Sequence, residues 1–252
     1  MSYLNTVPLA WGMLHGPQRE QVQLSFSIPS VCAAEMERGA IDLGLVPVAE
    51  IARQGLEIIP GVGIACLGAV RSILMFSRVP WSEVRTLAAD LSSRTSVQLA
   101  RVILRERFGV NPAVTQQAPV VEAMLANADA ALIIGDPALR LNPETLPFEW
   151  LDLGAEWAKL TGLPMVFAAW AGKPGLPVEL LSQITCGSYQ FGRARLEQLV
   201  DEEYAARGVT RELARKYLSH YIRFELGRKE FEGLDTFFRL AGLVHDYSTT
   251  SA

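Results

Sequence analysis

The segment 129–139, DAALIIGDPAL, carries an unbroken apolar stretch straight into Gly135-Asp136-Pro137. A short apolar run closed by turn residues reads as a fully buried strand, and this turn delivers one carboxylate to the strand's exit. Open α/β sheets bind small molecules at such exits. A second strand-to-polar-turn element precedes it, LAADLSSRTS at 87–96, and leads into an amphipathic segment whose first amides are available to an anion. Together the two elements predict a chain built to hold a small acid.

The same alternation runs through the first two thirds of the chain. Short apolar runs at 41–46, 63–66, 72–76, 86–89, 130–134 and 165–169 read as strands, and 30–38, 96–107 and 122–126 read as helices. In the second of these helices Leu99, Val102 and Ile103 form an apolar stripe, with Glu106 on the charged return. The pattern predicts a wound α/β architecture. From 177 onward the spacing turns helical, with Leu213, Tyr217, Tyr221 and Phe224 in one helix and Phe231, Leu234, Phe238 and Ala241 in the next. Thr210 is placed to cap the first, Gly227 to end it, and Gly242 to stop the second. Two stretches, 76–81 and 169–174, each follow a strand with Pro or Gly and read as crossings between lobes. They predict a discontinuous first lobe, 1–77 with 173–252, and an inserted second lobe, 78–172, with a ligand cleft between them.

Composition removes several classes of function. Of 252 residues half are hydrophobic, and the formal charge is -4 with no dense Lys/Arg block, so nucleic acid is not an expected partner. Cys32, Cys66 and Cys186 are scattered without CxxC or Cys/His spacing, which predicts neither a disulfide framework nor a zinc site and points to a reducing cytosol. The first residues lack a basic stretch before a long apolar one, and no apolar run is long enough to span a bilayer, so secretion and membrane anchoring are not expected. The tail 248–252 reads as frayed. No GxGxxG, P-loop or HExxH pattern is present, Gly61, Gly63 and Gly68 read as turns, and no cofactor or metal is expected. His15, His220 and His245 lie away from the strand-end turns, so no nucleophile, base and carboxylate set is visible. Trp150, Trp157 and Trp170 read as core or lobe-edge packing.

What remains is a set of polar turns. Asn5, in the segment Tyr3-Leu4-Asn5-Thr6-Val7-Pro8, serves either as a helix cap or as a ligand hydrogen bond. Arg71 and Ser72 open a strand, where a cation beside a hydroxyl suits a carboxylate; a lone arginine is equally a solvated rim charge. The hydroxyls from Ser93 to Ser96 cap a helix and also make an anion site where a cleft faces them. Asp136 is either a cap before Pro137 or a ligand group, and its place at a strand exit favours the latter.

Taken together, SYLNTVPL at 2–9, ERGAIDLGLVPVAE at 37–50, GAVRSILMFS at 68–77, LSSRTS at 91–96, AALIIGDPAL at 130–139 and DLGAEWAKLTGLPMVFAAWAG at 152–172 resemble one family, the chorismate dehydratases of the futalosine route to menaquinone. The resemblance weakens only in the C-terminal helices. It implies a two-lobed, periplasmic-binding-protein-like fold of type II used as a cytoplasmic enzyme, with chorismate, a dianion, as substrate. The products it implies are 3-[(1-carboxyvinyl)oxy]benzoate and water. It places Asn5, Ser72 and Asp136 in catalytic positions and Tyr3, Arg71, Thr95, Ser96 and Gly135 against the substrate, with main-chain amides near Thr95 and Gly135 as further contacts. For the base it leaves Asp136 and the enolpyruvyl carboxylate of the substrate, and the second is favoured. Family members usually carry a short strand before the SYLN motif, so the expectation is that the first strand is missing here or the start is truncated, with Asn5 less firmly held.

Three other readings compete. The sister enzyme of the same pathway forms a dihydroxynaphthoate on the same fold, but it calls for a base such as histidine in the cleft. A solute-binding protein shares the cleft but needs export. The effector domain of a transcription regulator needs a DNA-binding module for which the chain has no room.

Overall fold

The computed structural model describes residues 3–90 and 94–243. Ser92, Ser93, His245 and the tail 248–252 lie outside the described residues. Nine strands are formed: β1 (Leu43–Pro47), β2 (Glu57–Cys66), β3 (Ile73–Ser77), β4 (Thr86–Asp90), β5 (Ala113–Gln117), β6 (Ala130–Ile134), β7 (Glu149–Asp152), β8 (Met165–Gly172) and β9 (Arg223–Leu226), counted among the described residues. Between and around them run α1 (Val7–His15), α2 (Pro29–Arg38), α3 (Val48–Gln54), α4 (Thr95–Phe108), α5 (Val121–Asn127), α6 (Gly135–Arg140) and α7 (Leu153–Thr161). The C-terminal part adds α8 (Val178–Arg193), α9 (Leu196–Glu203), α10 (Arg211–Lys216) and α11 (Arg228–Ala241).

The strands divide into two sheets, which are the cores of two lobes. One has the order β1-β8-β2-β9 and is antiparallel throughout. The other has the order β5-β4-β6-β3-β7, with β4 parallel to β5 and β6 while β3 runs antiparallel to β6 and β7. Only the β5-β4-β6 part of the second sheet, where α4 and α5 separate consecutive strands, is wound in the parallel sense; every antiparallel pair joins strands that are not consecutive in the chain. β6 and β8 are buried along their whole length, as expected of apolar runs covered on both faces.

Strand pairing moves both expected crossings toward the N-terminus. β3 pairs with β6 and β7 of the second sheet, and β8 with β1 and β2 of the first. The chain therefore passes between sheets at 67–72 and again at 162–164. Pro80 and the Gly172–Gly175 region, which drew the expected crossings, close strands without changing sheets. Gly61 and Gly63 are a further correction: both lie within β2, where the register against β8 and β9 slips, and only Gly68 occupies a turn. The late helices also differ in part. Thr210 caps α10 by accepting from the Leu213 amide, and Gly242 ends α11 at φ 66°. After Lys216, however, the helix widens into a π turn at Tyr217–Tyr221, and Phe224 sits on β9. Gly227 starts α11 instead of ending its predecessor. Alternate burial along Arg223–Leu226 happens to continue the helical spacing before it, which is why the strand reads as helix.

One carboxylate organises the first crossing. Asp152 caps α7 through the Gly154 and Ala155 amides, at 3.0 and 3.1 Å, and also accepts from the amides of Val70 and Arg71, the latter at 2.7 Å. It is buried, so these amides have no water to turn to if it is removed. On the first lobe α1 packs closely on α8, where Ser188 Oγ donates to the Leu9 carbonyl at 2.7 Å and accepts from the Met13 amide at 3.1 Å. Trp11, Trp157, Tyr217 and Phe237 fill the interior. The described strands begin at Leu43, and β1 is an edge of its sheet. Asp152→Ala is expected to lower unfolding free energy by about 2–4 kcal/mol, one lost cap plus stranded amides. Urea denaturation checks this, and a loss below about 1 kcal/mol would contradict the role given to the carboxylate.

Candidate functional site

A hollow with about 550 Å³ of open space lies between the two sheets. Its polar wall is made by Tyr3, Asn5, Ser72, Arg94, Thr95 and Ser96, and its apolar wall includes Ile64, Ile73, Ile134 and Phe167. Each polar group arrives at a strand end or a helix start, the places where main-chain polarity is not used up by the ladder. Among the described lining residues there is one cation, Arg94, and no carboxylate or histidine.

The β3–β6 ladder brings Ser72 and Gly135 together. Ile73 faces Ile134 in the antiparallel register, and one step further the Gly135 amide donates to the Ser72 carbonyl at 2.8 Å. Gly135 has φ 65°, and a Cβ there would stand 2.7 Å from the Tyr3 ring. Glycine is thus required twice, by the left-handed backbone and by the aromatic wall laid on it. Ser72 is buried, and its hydroxyl accepts from the Tyr217 phenol at 2.8 Å. The same phenol accepts from Asn5 Nδ2 at 3.1 Å. Asn5 lies in the single 3-10 turn Leu4–Thr6 that runs into α1, and its Oδ1 is buried without a partner.

On the second lobe α4 points its first turn at the hollow. Thr95 Oγ1 accepts from the Ala49 amide at 3.2 Å and donates to the Phe167 carbonyl at 3.1 Å, so it ties this helix start to the first lobe. What Thr95 offers a ligand is its amide, which like that of Ser96 has no partner within the helix. Arg94 leaves its side chain half exposed, 3.9 Å from Glu50. Two expected site residues face elsewhere. Arg71, at φ 66°, turns its guanidinium to the carbonyls of Ala138, Leu139 and Leu141 at the end of α6. Asp136 sits behind Gly135 and does not line the hollow: one oxygen accepts from the Leu4 amide at 2.9 Å, the other from Arg207 at 3.1 Å. Burial pushes its carboxyl above the usual range, with the Leu4 amide and Arg207 pulling the other way.

Sequence reasoning missed Arg94 and Tyr217. Arg94 stood inside the LSSRTS motif among hydroxyls that drew the attention. Tyr217 lies 145 residues from Ser72, and its helical spacing marked it only as a core position. His15 packs on Trp11 with ring centroids 4.3 Å apart, and His220 is exposed beside Ser219. Trp157 is core, Trp170 is buried on β8, and Trp150 lies half exposed on β7.

A family profile described as menaquinone biosynthesis matches residues 1–242. The chain belongs to this family. The chorismate dehydratase of Thermus thermophilus is 27% identical over 259 residues, covering 96% of this chain and 93% of that protein. That of Campylobacter jejuni is 25% identical over 249 residues, covering 95% and 94%. Among solved structures, a protein of Archaeoglobus fulgidus superposes with a TM-score of 0.74 at 15% identity, covering 96% of each chain. The periplasmic aliphatic sulphonate binding protein of Escherichia coli superposes at 0.64 and 14% identity, covering 95% of this chain and 83% of that one. The fold of this menaquinone-biosynthesis family member is therefore the two-lobed fold of periplasmic binding proteins. No helix among the described residues is long and apolar enough to cross a membrane.

The buried phenol gives a test of the geometry that needs no ligand. Burial holds the Tyr217 hydroxyl well above its usual range, against the pull of its hydrogen bonds to Ser72 and Asn5. A group whose folded pKa exceeds its unfolded one stabilises fully below the unfolded value, and that contribution is lost as pH climbs past it. Wild type should therefore lose stability faster than Tyr217→Phe above about pH 10, by up to about 1.4 kcal/mol per pH unit. Urea midpoints of both proteins at pH 8 and about pH 11 make the comparison; parallel shifts would mean the phenol is not buried neutral.

Proposed function

We propose that the protein is a chorismate dehydratase, a hydro-lyase that converts chorismate to 3-[(1-carboxyvinyl)oxy]benzoate and water in menaquinone biosynthesis by the futalosine route. The observation that carries the reading is the hollow itself: one cation, four hydroxyl-bearing side chains, an amide and a helix start, without a histidine or carboxylate in its described wall. Family membership and two relatives bearing that activity in their names support it. The sister reaction, which calls for a histidine-type base, has no such residue among those lining the hollow. A cytoplasmic location belongs to this reading, and the three unpaired thiols are compatible with it.

In this reading one carboxylate of the dianion lies at the start of α4, held by the Thr95 and Ser96 amides, the Ser96 hydroxyl and the Arg94 charge. A fourteen-residue helix presents its positive end there. Tyr3 and the apolar wall cover the ring, and Asn5 and Ser72 address the hydroxyl that departs. The reaction removes a ring proton and the neighbouring hydroxyl, and formation of a benzene ring drives it, so the protein has mainly to orient and polarise. Closure of the lobes keeps bulk water out. The base is the enolpyruvyl carboxylate of the substrate. Asp136 takes a supporting part, with both of its oxygens occupied by the Leu4 amide and Arg207. Arg71 likewise supports the wall by holding the end of α6.

Incubating the purified protein with chorismate should yield the aromatic enol ether, while the futalosine-derived substrate of the sister enzyme run in parallel should remain unchanged. The reverse result would move the protein to the sister reaction. Asp136→Asn is expected to keep kcat within about tenfold of wild type while lowering stability by about 1–3 kcal/mol through the weakened Arg207 contact. A collapse of kcat with KM intact would instead make Asp136 the base.

A further inference from the structure

We propose that Tyr217 is the positioning residue of this reaction: its phenol fixes which way Asn5 and Ser72 present their hydrogen-bonding groups to the substrate's departing hydroxyl. The inference rests on the dehydratase reading.

A phenol has one proton to give and lone pairs to receive with. Tyr217 gives its proton to Ser72 Oγ at 2.8 Å and receives one from Asn5 Nδ2 at 3.1 Å. Both neighbours are thereby polarised. Ser72, accepting at oxygen, keeps its own proton free to donate into the hollow that it lines. Asn5, with its nitrogen turned to the phenol, has its carbonyl Oδ1 left over, buried and without a partner. Such an acceptor is costly to leave empty, and in the wall of a hollow a catalytic role accounts for one. A departing hydroxyl needs one donor toward its oxygen and one acceptor for its proton. Ser72 and Asn5 supply one of each.

Tyr217 touches neither the hollow nor the substrate; it works through the two residues that do. The π turn Tyr217–Tyr221 carries it there, a widened helix form that recurs at functional sites. The phenol is 1% exposed and stays neutral across the working pH range, because burial disfavours the phenolate. It exchanges no proton in the reaction. The ring proton passes to the enolpyruvyl carboxylate and the electrons of its bond enter the ring. The hydroxyl leaves with its bonding pair and takes that proton back, departing as water and restoring the carboxylate.

The test compares wild type, Tyr217→Phe, Ser72→Ala and the double variant in steady-state dehydration of chorismate. Tyr217→Phe is expected to lower kcat about 10- to 100-fold with KM changed by less than about threefold. In the Ser72→Ala background the same substitution is expected to cost clearly less than in wild type, since the part that acts through Ser72 is already lost and only the part that acts through Asn5 remains. Effects that multiply in the double variant, or a Tyr217→Phe enzyme with wild-type kcat, would overturn the proposal. A wild type that leaves chorismate unchanged would overturn the assigned reaction instead, and this role with it. Should the phenylalanine variant not fold, 3-fluorotyrosine at 217 keeps ring and hydroxyl while making the phenol more acidic. The substitution should then change kcat in the wild-type background and leave that of Ser72→Ala less affected, and an equal response in both backgrounds would count against Tyr217.

Discussion

The crossing between the two sheets at 67–72 depends on the Asp152 carboxylate, and the site depends on the crossing. Asp152 gathers the amides of Val70 and Arg71 on one side and the first turn of α7 on the other. That anchorage sets where β3 begins, and its register against β6 then puts Ser72 beside Gly135. The left-handed backbone of Arg71 follows from the same demand. A non-glycine residue in that region costs about 1–2 kcal/mol, offset here by its guanidinium bonds to the end of α6 and its own amide bond to Asp152. A residue whose sequence position suggested a ligand cation is thus a brace for the wall.

Legibility in the sequence followed burial. β6 and β8 are covered on both faces, so their apolar runs stood out at once. β5, AVTQQ, is a largely exposed edge strand, and β7, EWLD, is a short one; neither has a pattern that separates it from loop. The lobe boundaries slipped for a related reason. Pro and Gly mark where strands stop, whereas a change of sheet is decided by which edge the next strand joins, and that is a long-range choice. Of the site, Asn5, Ser72, Thr95, Ser96 and Gly135 all come to the hollow together with Tyr3. They were readable because strand-exit turns with hydroxyl and amide side chains carry a local signal. Tyr217 carried none: a buried tyrosine at helical spacing looks the same whether its hydroxyl meets a neighbour or a catalytic group.

The two lobes are joined through polar groups as much as through their covalent crossings. Thr95 reaches the Ala49 amide and the Phe167 carbonyl, and Asp136 holds both the Leu4 amide and Arg207. The Thr95 contact lies in the wall of the hollow, which Thr95 and Phe167 both line, and the Asp136 contacts lie behind it. They are made by one hydroxyl, main-chain amides and carbonyls, and one mostly buried ion pair, and they stand beside an apolar core that runs across both lobes, where Trp157 of α7 meets Phe237 of α11.

The described cleft wall is nearly neutral, and that fits a substrate that brings its own base. A carboxylate built into the wall would repel a dianion and raise the cost of bringing the ligand out of water. A histidine would compete with the substrate's carboxylate for the same proton. In the proposed reading the site supplies instead a helix start and Arg94 for one charge, and a fixed pair of hydrogen-bonding groups, Ser72 and Asn5, for the hydroxyl. Interactions of that kind act through preorganisation: their value in the transition state comes from not having to reorient as the bond breaks. Preorganisation is also what the buried Asn5, Tyr217 and Ser72 chain can provide, since a phenol with both neighbours engaged has no water with which to exchange partners. On the proposed mechanism the chemistry is thus carried by the substrate and by the orientation imposed on it, and the protein's share lies in holding three uncharged side chains in one sense.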